Sequence, residues 1–461
     1  LQKSNAGEYF NDVALALVGR LRGGPAKVTV LSGIMFGAVS GSAVANVVAS
    51  GAFTIPMMRR VGYDRPTAGA IEATSSTGGQ ITPPVMGAGA FIMAEVLGIP
   101  YTEIALAGLI PAILFYFANY THCDLNARKL GIKGLPRDEL PRWTTILRRL
   151  YMASPLILLI FMLVQGFSPF RAAAWGIAAT LVIMIVTSLV HRVWLQRQGL
   201  FTGVASAVIE TAAQIYDALH SSMKEVMQLI AVCAAAGIVA GVIGVTGVGG
   251  RFASLLLEVA GASSLMAMVF AMCVAIILGM GVPTTAAYAI AAAVVAPGLI
   301  RIGVEPLVAH MFIFYFAILS AITPPVALAS FAAASMARAD MWQTSIIALK
   351  LGLATFIVPY MFWLSPALLA QGSFLEILPA LLTALGGVWF LACATEGWML
   401  NGPLNPVLRF VSGSAGFMMM IPESMTDLTG ITIGVALFLW QRRAYPVEGM
   451  VTLPRPVERR L

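Results

Sequence analysis

Charged residues are scarce: Asp, Glu, Lys and Arg together make up 11% of the 461 residues, while 59% are hydrophobic. A soluble domain carries about 25% charged residues. A chain at less than half that level solvates most of its surface with lipid, which excludes a disordered protein, a nucleic-acid module and a secreted disulfide scaffold. Cysteine is sparse too. Cys123, Cys233, Cys273 and Cys393 are far apart with no CxxC spacing, and the four histidines are scattered, so no metal site is offered. The chain contains no HExxH, no GxSxG beside a histidine and no Walker-type GxxxxGK[ST], which argues against an intramembrane enzyme and a primary pump. It begins at Leu1, and its first twenty residues hold no signal-peptide core. We therefore expect a natural N-terminus upstream.

What is present is a set of apolar runs. Simple spans of about 20 residues are expected near 103–121, 151–166, 171–190, 226–247, 344–369, 374–400 and 428–440. Four longer runs, 28–58, 68–98, 262–300 and 307–337, are interrupted in the middle. Net charge is +7, and in a membrane protein such an excess reports orientation. Arg128, Lys129, Lys133, Arg137, Arg142, Arg148 and Arg149 crowd one connection, and His191, Arg192 and Arg197 another, placing both on the cytoplasmic side. A solvated loop whose charge says nothing of orientation is the competing reading.

The interrupted runs repeat at a fixed offset of 241 residues. Pro56 matches Pro297, Arg60 matches Arg301, Gly62 matches Gly303 and Ala68 matches Ala309; Ile81–Val85 then matches Ile322–Val326 as ITPPV. These are nine identities in thirty ungapped positions, where composition alone gives about two. Each copy holds a small-residue break, GAVSGS at 37–42 or GMGVPTT at 279–285, followed by a Thr-Pro-Pro break at Thr82 or Thr323. Two successive prolines remove two backbone donors and clash with the preceding turn, so no helix passes through them. Unwound backbone in a bilayer is tolerated only inside protein or along a water-filled cavity. Half-helix ends meeting there offer N–H groups to anions and carbonyls to Na⁺ or another cation. The arms of 28–58 are short for the bilayer core, so a re-entrant hairpin is expected, and an odd number of crossings between the copies would invert the second.

The strings SGSAVAN at 40–46 and STGGQITPPV at 76–85, with LGMGVPTT at 278–285 and AILSAITPPV at 317–326, resemble the large membrane subunit of tripartite ATP-independent periplasmic (TRAP) transporters. More narrowly, it resembles the fused permeases that join the small and large subunits, often associated with binding proteins of the TAXI type. The likeness covers about residues 10–365. It implies an all-α polytopic membrane protein with inverted structural repeats, re-entrant hairpins and broken helices, working as an elevator-type secondary transporter in a bacterial or archaeal cytoplasmic (inner) membrane. A periplasmic substrate-binding protein would deliver a small organic acid, and an ion gradient, Na⁺ or H⁺, would drive uptake. Against the family's pattern, the small-subunit helices are missing from this chain, fused upstream or supplied by another chain. Alternatives are a binding-protein-independent ion-coupled carboxylate carrier and a channel.

On this basis 1–27 is an amphipathic interfacial arm and 28–121 the first transport repeat. Residues 122–261 are connecting loop and scaffold, 262–343 the second repeat, 344–370 the last helix of the large-subunit-like region, and 371–461 a hydrophobic C-terminal extension. The first ion site is expected at Ser40, Gly41, Ser42 and Asn46 with Thr77, Gly78 and Thr82. The second is expected at Gly279, Gly281, Thr284, Thr285 and Thr323. Neutral hydroxyl and carbonyl oxygens suit a small hard cation without burying a carboxylate; for any single hydroxyl the plainer role is a bond to its own helix backbone. Substrate would lie between the tips, near Ser42, Asn46, Gln80, Thr284 and Thr285. Arg60, Arg301, Asp64 and Glu305 read as structural loop-end residues. Glu72, Asp217, Glu225 and His310 lie in or beside apolar stretches and are candidates for carrying a proton, although a histidine such as His310 is more often simply packed and hydrogen-bonded.

Overall fold

Glycine and proline set the helix ends of this chain, whose computed structural model describes residues 6–190, 200–247, 263–421 and 423–445 and single positions between 250 and 258. The second cationic cluster, His191, Arg192 and Arg197, lies outside the described residues, as does the side chain of Glu225.

Helix α1, Ala6–Val18, buries Tyr9 and Phe10 against Phe36, Ile146 and Met152. The next helix, α2 (Gly24–Ser40), starts where Gly23 turns left-handed at φ 64° and Pro25 occupies the first turn. It ends at Gly41, φ 62°, and a two-residue turn returns the chain as α3, Ala43–Val61, with Ser42 accepting from Ala45 N–H as N-cap. α4, Arg65–Gly78, opens on Asp64 as N-cap with Pro66 behind it. The helix stops before the prolines, residues 79–88 are unwound, and α5, Gly89–Leu97, follows. Pro83–Pro84 is a cis peptide. The Tyr101 hydroxyl at the head of α6, Tyr101–Leu130, lies 2.8 Å from the Pro84 carbonyl oxygen and 2.6 Å from that of Val85, the carbonyls that the break strips of helix partners.

The same order of elements recurs later in the chain. α7 (Trp143–Arg148), α8 (Ser154–Val164), α9 (Pro169–Val190) and the 47-residue α10 (Leu200–Thr246) intervene. Then come α11 (Ser264–Gly279), a turn with Gly281 at φ 74°, and α12 (Thr284–Arg301). They are followed by α13 (Pro306–Leu319), a break containing cis Pro324–Pro325, and α14 (Leu328–Ala337). α15 (Met341–Gly352), α16 (Val358–Leu364), α17 (Phe374–Glu396), α18 (Pro406–Met418) and α19 (Ser424–Ala444) follow among the described residues. β1 (Trp398–Met399) and β2 (Gly402–Pro403) pair between α17 and α18.

The broken helices cross over. α4 packs on its own hairpin, α2 and α3, and also on α14 and α15; α13 packs on α11 and α12 and also on α5. The half-helix after each break thus joins the opposite copy. α4 and α13 form the buried centre, but their chemistry differs. Every residue of α13 after Pro306, LVAHMFIFYFAIL, is buried, as expected of a helix apolar all round. The buried stretch of α4, Ala68 to Gly78, is instead rich in Ser and Thr and contains Glu72. Where lipid surrounds a bundle, close backbone approach rather than water exclusion holds helices together. A Cβ on Gly37 would sit 2.1 Å from the Cα of Gly79, and one on Gly33 would sit 2.7 Å from the Ser75 carbonyl oxygen.

Among the described residues five helices are long and apolar enough to cross a membrane: Tyr101–Leu130, Pro169–Val190, Thr284–Arg301, Met341–Leu364 and Phe374–Glu396. A pair bent by 74°, Arg137–Arg148 with Leu150–Val164, would make a sixth. α9 packs on α8 and α10 but fully buries only Ala172 and Gly176, leaving much of its apolar surface to lipid or a partner. The chain is a polytopic α-helical membrane protein. Three limits drawn from sequence fall inside helices: 27/28 in α2, 121/122 in α6 and 343/344 in α15. The expected span at 226–247 is the end of the longer α10. Apolarity marks what lipid covers, whereas capping residues decide where a helix ends.

Candidate functional site

The hairpin tips meet at the breaks. Ser40, last in α2, donates to Asn46 Oδ1, one turn into α3, and its Oγ accepts from Ser42 N–H at 3.3 Å. Asn46 Nδ2 then donates to the Ser76 carbonyl in α4 at 3.3 Å. Gln80, in the first break and only 4% exposed, donates from Nε2 to the Gly41 carbonyl at 3.3 Å and accepts at Oε1 from the Thr284 hydroxyl at 3.0 Å. One amide therefore spans the tip of the first hairpin and the start of α12 in the second. Ser42, Asn46, Gln80 and Thr284 are brought together around this bridge, while Thr285 is buried in the same first turn of α12.

The remaining predicted oxygens behave differently. The hydroxyls of Thr77, Thr82 and Thr323 donate to the carbonyls of Ala73 (2.7 Å), Gly78 (2.8 Å) and Leu319 (2.8 Å), each four residues back. Their protons are committed to their own backbone, and only their lone pairs are left for a ligand. Gly78 packs against Phe115. Gly279 ends α11 against Ser320, where a Cβ would come within 2.6 Å of the Ser320 hydroxyl. This resembles the approach of Gly37 to Gly79: Ser320 stands 241 residues after Gly79, and Gly279 stands 242 residues after Gly37. Gly281 supplies the positive φ of the second tip.

Three of the four loop-end residues, Asp64, Glu305 and Arg60, have structural partners. Asp64 caps α4 through Thr67 N–H, Glu305 accepts from Gln371 at 3.1 Å, and Arg60 pairs with Glu139. His310 is buried, with Nδ1 2.8 Å from the Tyr288 hydroxyl. Two ionic clusters were not foreseen from sequence. Lys27, 4% exposed, reaches Asp124 at 2.6 Å, and Asp124 also takes Arg128 at 2.7 Å. Glu396, at the end of α17, holds His122 Nδ1 at 3.1 Å and Lys350 Nζ at 3.0 Å. Their partners are 97 and 274 residues apart, and only the placement of a charge within an apolar run could have flagged them. Among the described residues no three His, Cys, Asp or Glu side chains cluster as metal ligands.

Two helical hairpins whose tips meet at two broken helices stand in a chain with several apolar helices, and comparison with known proteins places it among transporter permeases, not enzymes. The chain belongs to the family of the tripartite ATP-independent periplasmic transporter, DctM component, whose description matches residues 1–377. It is similar to the C4-dicarboxylate TRAP transporter large permease protein DctM of Vibrio cholerae, 27% identical over 76% of this chain and 79% of that protein. It also resembles the isethionate TRAP transporter permease protein DctMQ of Oleidesulfovibrio alaskensis, 23% identical over 74% of this chain and 51% of the relative. The ectoine/5-hydroxyectoine TRAP transporter large permease protein UehC of Ruegeria pomeroyi is 32% identical over 40% of this chain and 42% of its own length. The chain thus spans about half or less of the last two relatives.

Proposed function

We propose that this chain performs secondary active uptake of a small organic acid across the cytoplasmic membrane, driven by an ion gradient and fed by a periplasmic binding protein. The observation that carries the reading is the Gln80 bridge, which ties Gly41 of one hairpin to Thr284 of the other at the two breaks. In this reading the hairpins are re-entrant, the two copies are inverted, and they move together as an elevator against the remaining helices. Cation binding falls to the lone pairs and carbonyls of Ser40, Gly41, Ser42, Asn46, Thr77, Gly78 and Thr82, and in the second copy to Gly279, Gly281, Thr284, Thr285 and Thr323, with Na⁺ or H⁺ as the coupling ion. No arginine stands at either tip, so an acid's carboxylate would be held by the N–H groups at the starts of α3 and α12, beside Ser42 and Thr284. Relatives named for C4-dicarboxylate, isethionate and ectoine set the range of substrates to try. The exposed apolar flank of α9 is the kind of surface that small-subunit helices or lipid would cover.

The test is uptake of labelled succinate, isethionate and ectoine into proteoliposomes holding this chain with small-subunit helices, under imposed Na⁺ or pH gradients, with and without a binding protein. Accumulation that needs both a gradient and the binding protein is expected. Accumulation with no gradient would sink the reading; undiminished accumulation without the binding protein would favour an independent carboxylate carrier, and unsaturable downhill flux a channel.

A further inference from the structure

Helix α4 buries a carboxyl that the tip site leaves unused. Glu72 is 1% exposed. Its Oε1 accepts from the Ser50 hydroxyl at 2.5 Å and the Ser76 hydroxyl at 2.9 Å, and its Oε2 accepts from the Thr54 hydroxyl. All three partners are neutral. A buried carboxylate held by neutral groups alone is costly, and binding a proton removes that cost.

Counting hydrogens makes the case sharper. Ser50 Oγ also lies 2.7 Å from the Asn46 carbonyl oxygen, and Thr54 Oγ1 lies 3.0 Å from the Ser50 carbonyl oxygen. Each hydroxyl has two acceptors in reach but a single proton to give. With Glu72 ionised, both hydroxyls turn toward the carboxylate. With Glu72 protonated, its own O–H donates to one of them, and the released hydroxyl proton goes to the helix carbonyl. Rotation of one of these hydroxyls therefore satisfies either state without moving the backbone. The oxygens already touch one another, so no room remains between them for a metal cation.

The charged groups of α2, α3 and α15, and Arg65 on α4 itself, are engaged elsewhere. Lys27 of α2 is held by Asp124, Arg60 of α3 by Glu139 and Lys350 of α15 by Glu396, while Arg59 of α3 reaches the Tyr63 carbonyl and Arg65 of α4 itself the Arg338 carbonyl. α6 contributes Tyr116, whose hydroxyl donates to the Ser75 carbonyl at 3.1 Å. α13 contributes Tyr315 and also His310, which is occupied by Tyr288. From α14 comes the apolar Met336, which lies against Gly51, as does the Glu72 Cγ.

The carboxyl is wired to the first hairpin tip. Ser50 touches the Asn46 carbonyl, Asn46 Nδ2 donates to the Ser76 carbonyl, and Asn46 Oδ1 accepts from Ser40. We propose that Glu72 is the group that takes up and releases a coupling proton, with Ser50 or Thr54 as its rotating partner and Asn46 as its link to the tip. Position 313, its counterpart in the second copy, is Ile. The duplicated core holds one such site. This inference rests on the transport reading for the word coupling, but not for the proton.

Two measurements separate those parts. Infrared difference spectra of the purified chain in lipid nanodiscs, recorded across a pH titration, should show the carbonyl stretch of a protonated carboxyl that disappears in Glu72→Gln. An unchanged band in that variant, or a Glu72 that stays ionised throughout, overturns the proposal. In proteoliposomes at equal Na⁺ on both sides, with labelled succinate, isethionate and ectoine as probes, an added gradient of one pH unit should raise accumulation about tenfold per proton carried. Glu72→Gln should lose that response while still exchanging internal for external substrate. If a Na⁺ gradient drives uptake and the pH gradient has no effect, Glu72 is not a coupling group although the transport reading stands. If no gradient drives uptake of any of the three probes, the transport reading falls, and the infrared band alone decides whether Glu72 holds a proton.

Discussion

The Thr284 hydroxyl donates to Gln80 Oε1 at 3.0 Å. The two residues are 204 positions apart and belong to different copies of the duplicated core. Because Gln80 also donates to the Gly41 carbonyl, its amide is satisfied on both sides by the two hairpins. A substrate that enters between the tips must displace or share these bonds, which makes Gln80 the residue where occupancy and tip spacing are coupled.

Gln80→Leu keeps the bulk of the side chain and removes both bonds. Losing hydrogen bonds at a buried polar site costs about 1–3 kcal/mol. We expect the thermal midpoint to fall, because both bonds are internal to the protein, and KM for the transported acid to rise by about five- to a hundredfold where the acid shares the Gln80 amide. Uptake titrations on both proteins measure this; an unaltered KM would remove Gln80 from the substrate path.

Glycine at positions 37 and 79 is a packing requirement. A Cβ on Gly37 would sit 2.1 Å from the Gly79 Cα, and one on Gly79 would sit 2.3 Å from the Gly37 Cα. The obstacle is backbone, so neither side can yield by a rotamer change. Gly37→Ala and Gly79→Ala should each cost about 1–3 kcal/mol or more by overpacking. Gly279→Ala, facing the Ser320 side chain, should cost less, and Gly176→Ala, with its nearest neighbour at 3.7 Å, should be close to neutral. Thermal unfolding in detergent ranks the four variants, and equal midpoints would contradict the contact.

Both breaks could be read from residue order, because Pro-Pro acts locally: it stops a helix whatever surrounds it. The tips could be read for the same reason, since Gly41 and Gly281 adopt a backbone that other residues resist. The direction of each hydroxyl could not. Thr77, Thr82 and Thr323 all have a carbonyl four residues back, and nothing in residue order says whether the side chain takes it or faces a ligand. Glu72 was visible as a charge in an apolar run, but its partners come from α3 and from its own helix, and only packing brings Ser50, Thr54 and Ser76 onto one carboxyl. The pairing of His122 with Glu396 left no periodic trace, and residue order alone could not supply it.

Ser42 separates capping from transport. Its hydroxyl accepts from Ala45 N–H at 3.3 Å, so Ser42→Ala should cost about 1 kcal/mol of stability through the lost cap. Ser42→Phe should lose uptake altogether, since the ring would project at the tip beside the Gln80 bridge. A companion change, Thr285→Val, keeps the shape of a buried side chain and removes one oxygen. Uptake assays alongside size-exclusion profiles distinguish a blocked site from a misfolded one. Full activity in both Ser42→Phe and Thr285→Val would refute the assignment of the site to the tips.

Glu396 anchors chain that lies beyond the family match. That match ends at residue 377, near the start of α17, yet the carboxyl at the end of α17 reaches back to His122 of α6 and Lys350 of α15. The side chains of Glu396 and His122 are 1% and 0% exposed, whereas that of Lys350 is 41% exposed. Removing one member of a buried pair strands the other, at a cost of about 3–5 kcal/mol. A half-exposed partner is screened by solvent and contributes about 1 kcal/mol or less. Glu396→Ala should therefore lower the unfolding midpoint far more than Lys350→Met, and Glu396→Gln, which can still bond His122, should fall between them. If Lys350→Met proves as damaging as Glu396→Ala, the stability resides in the exposed ion pair, and the buried His122 contact is not what fastens the extension to the permease core.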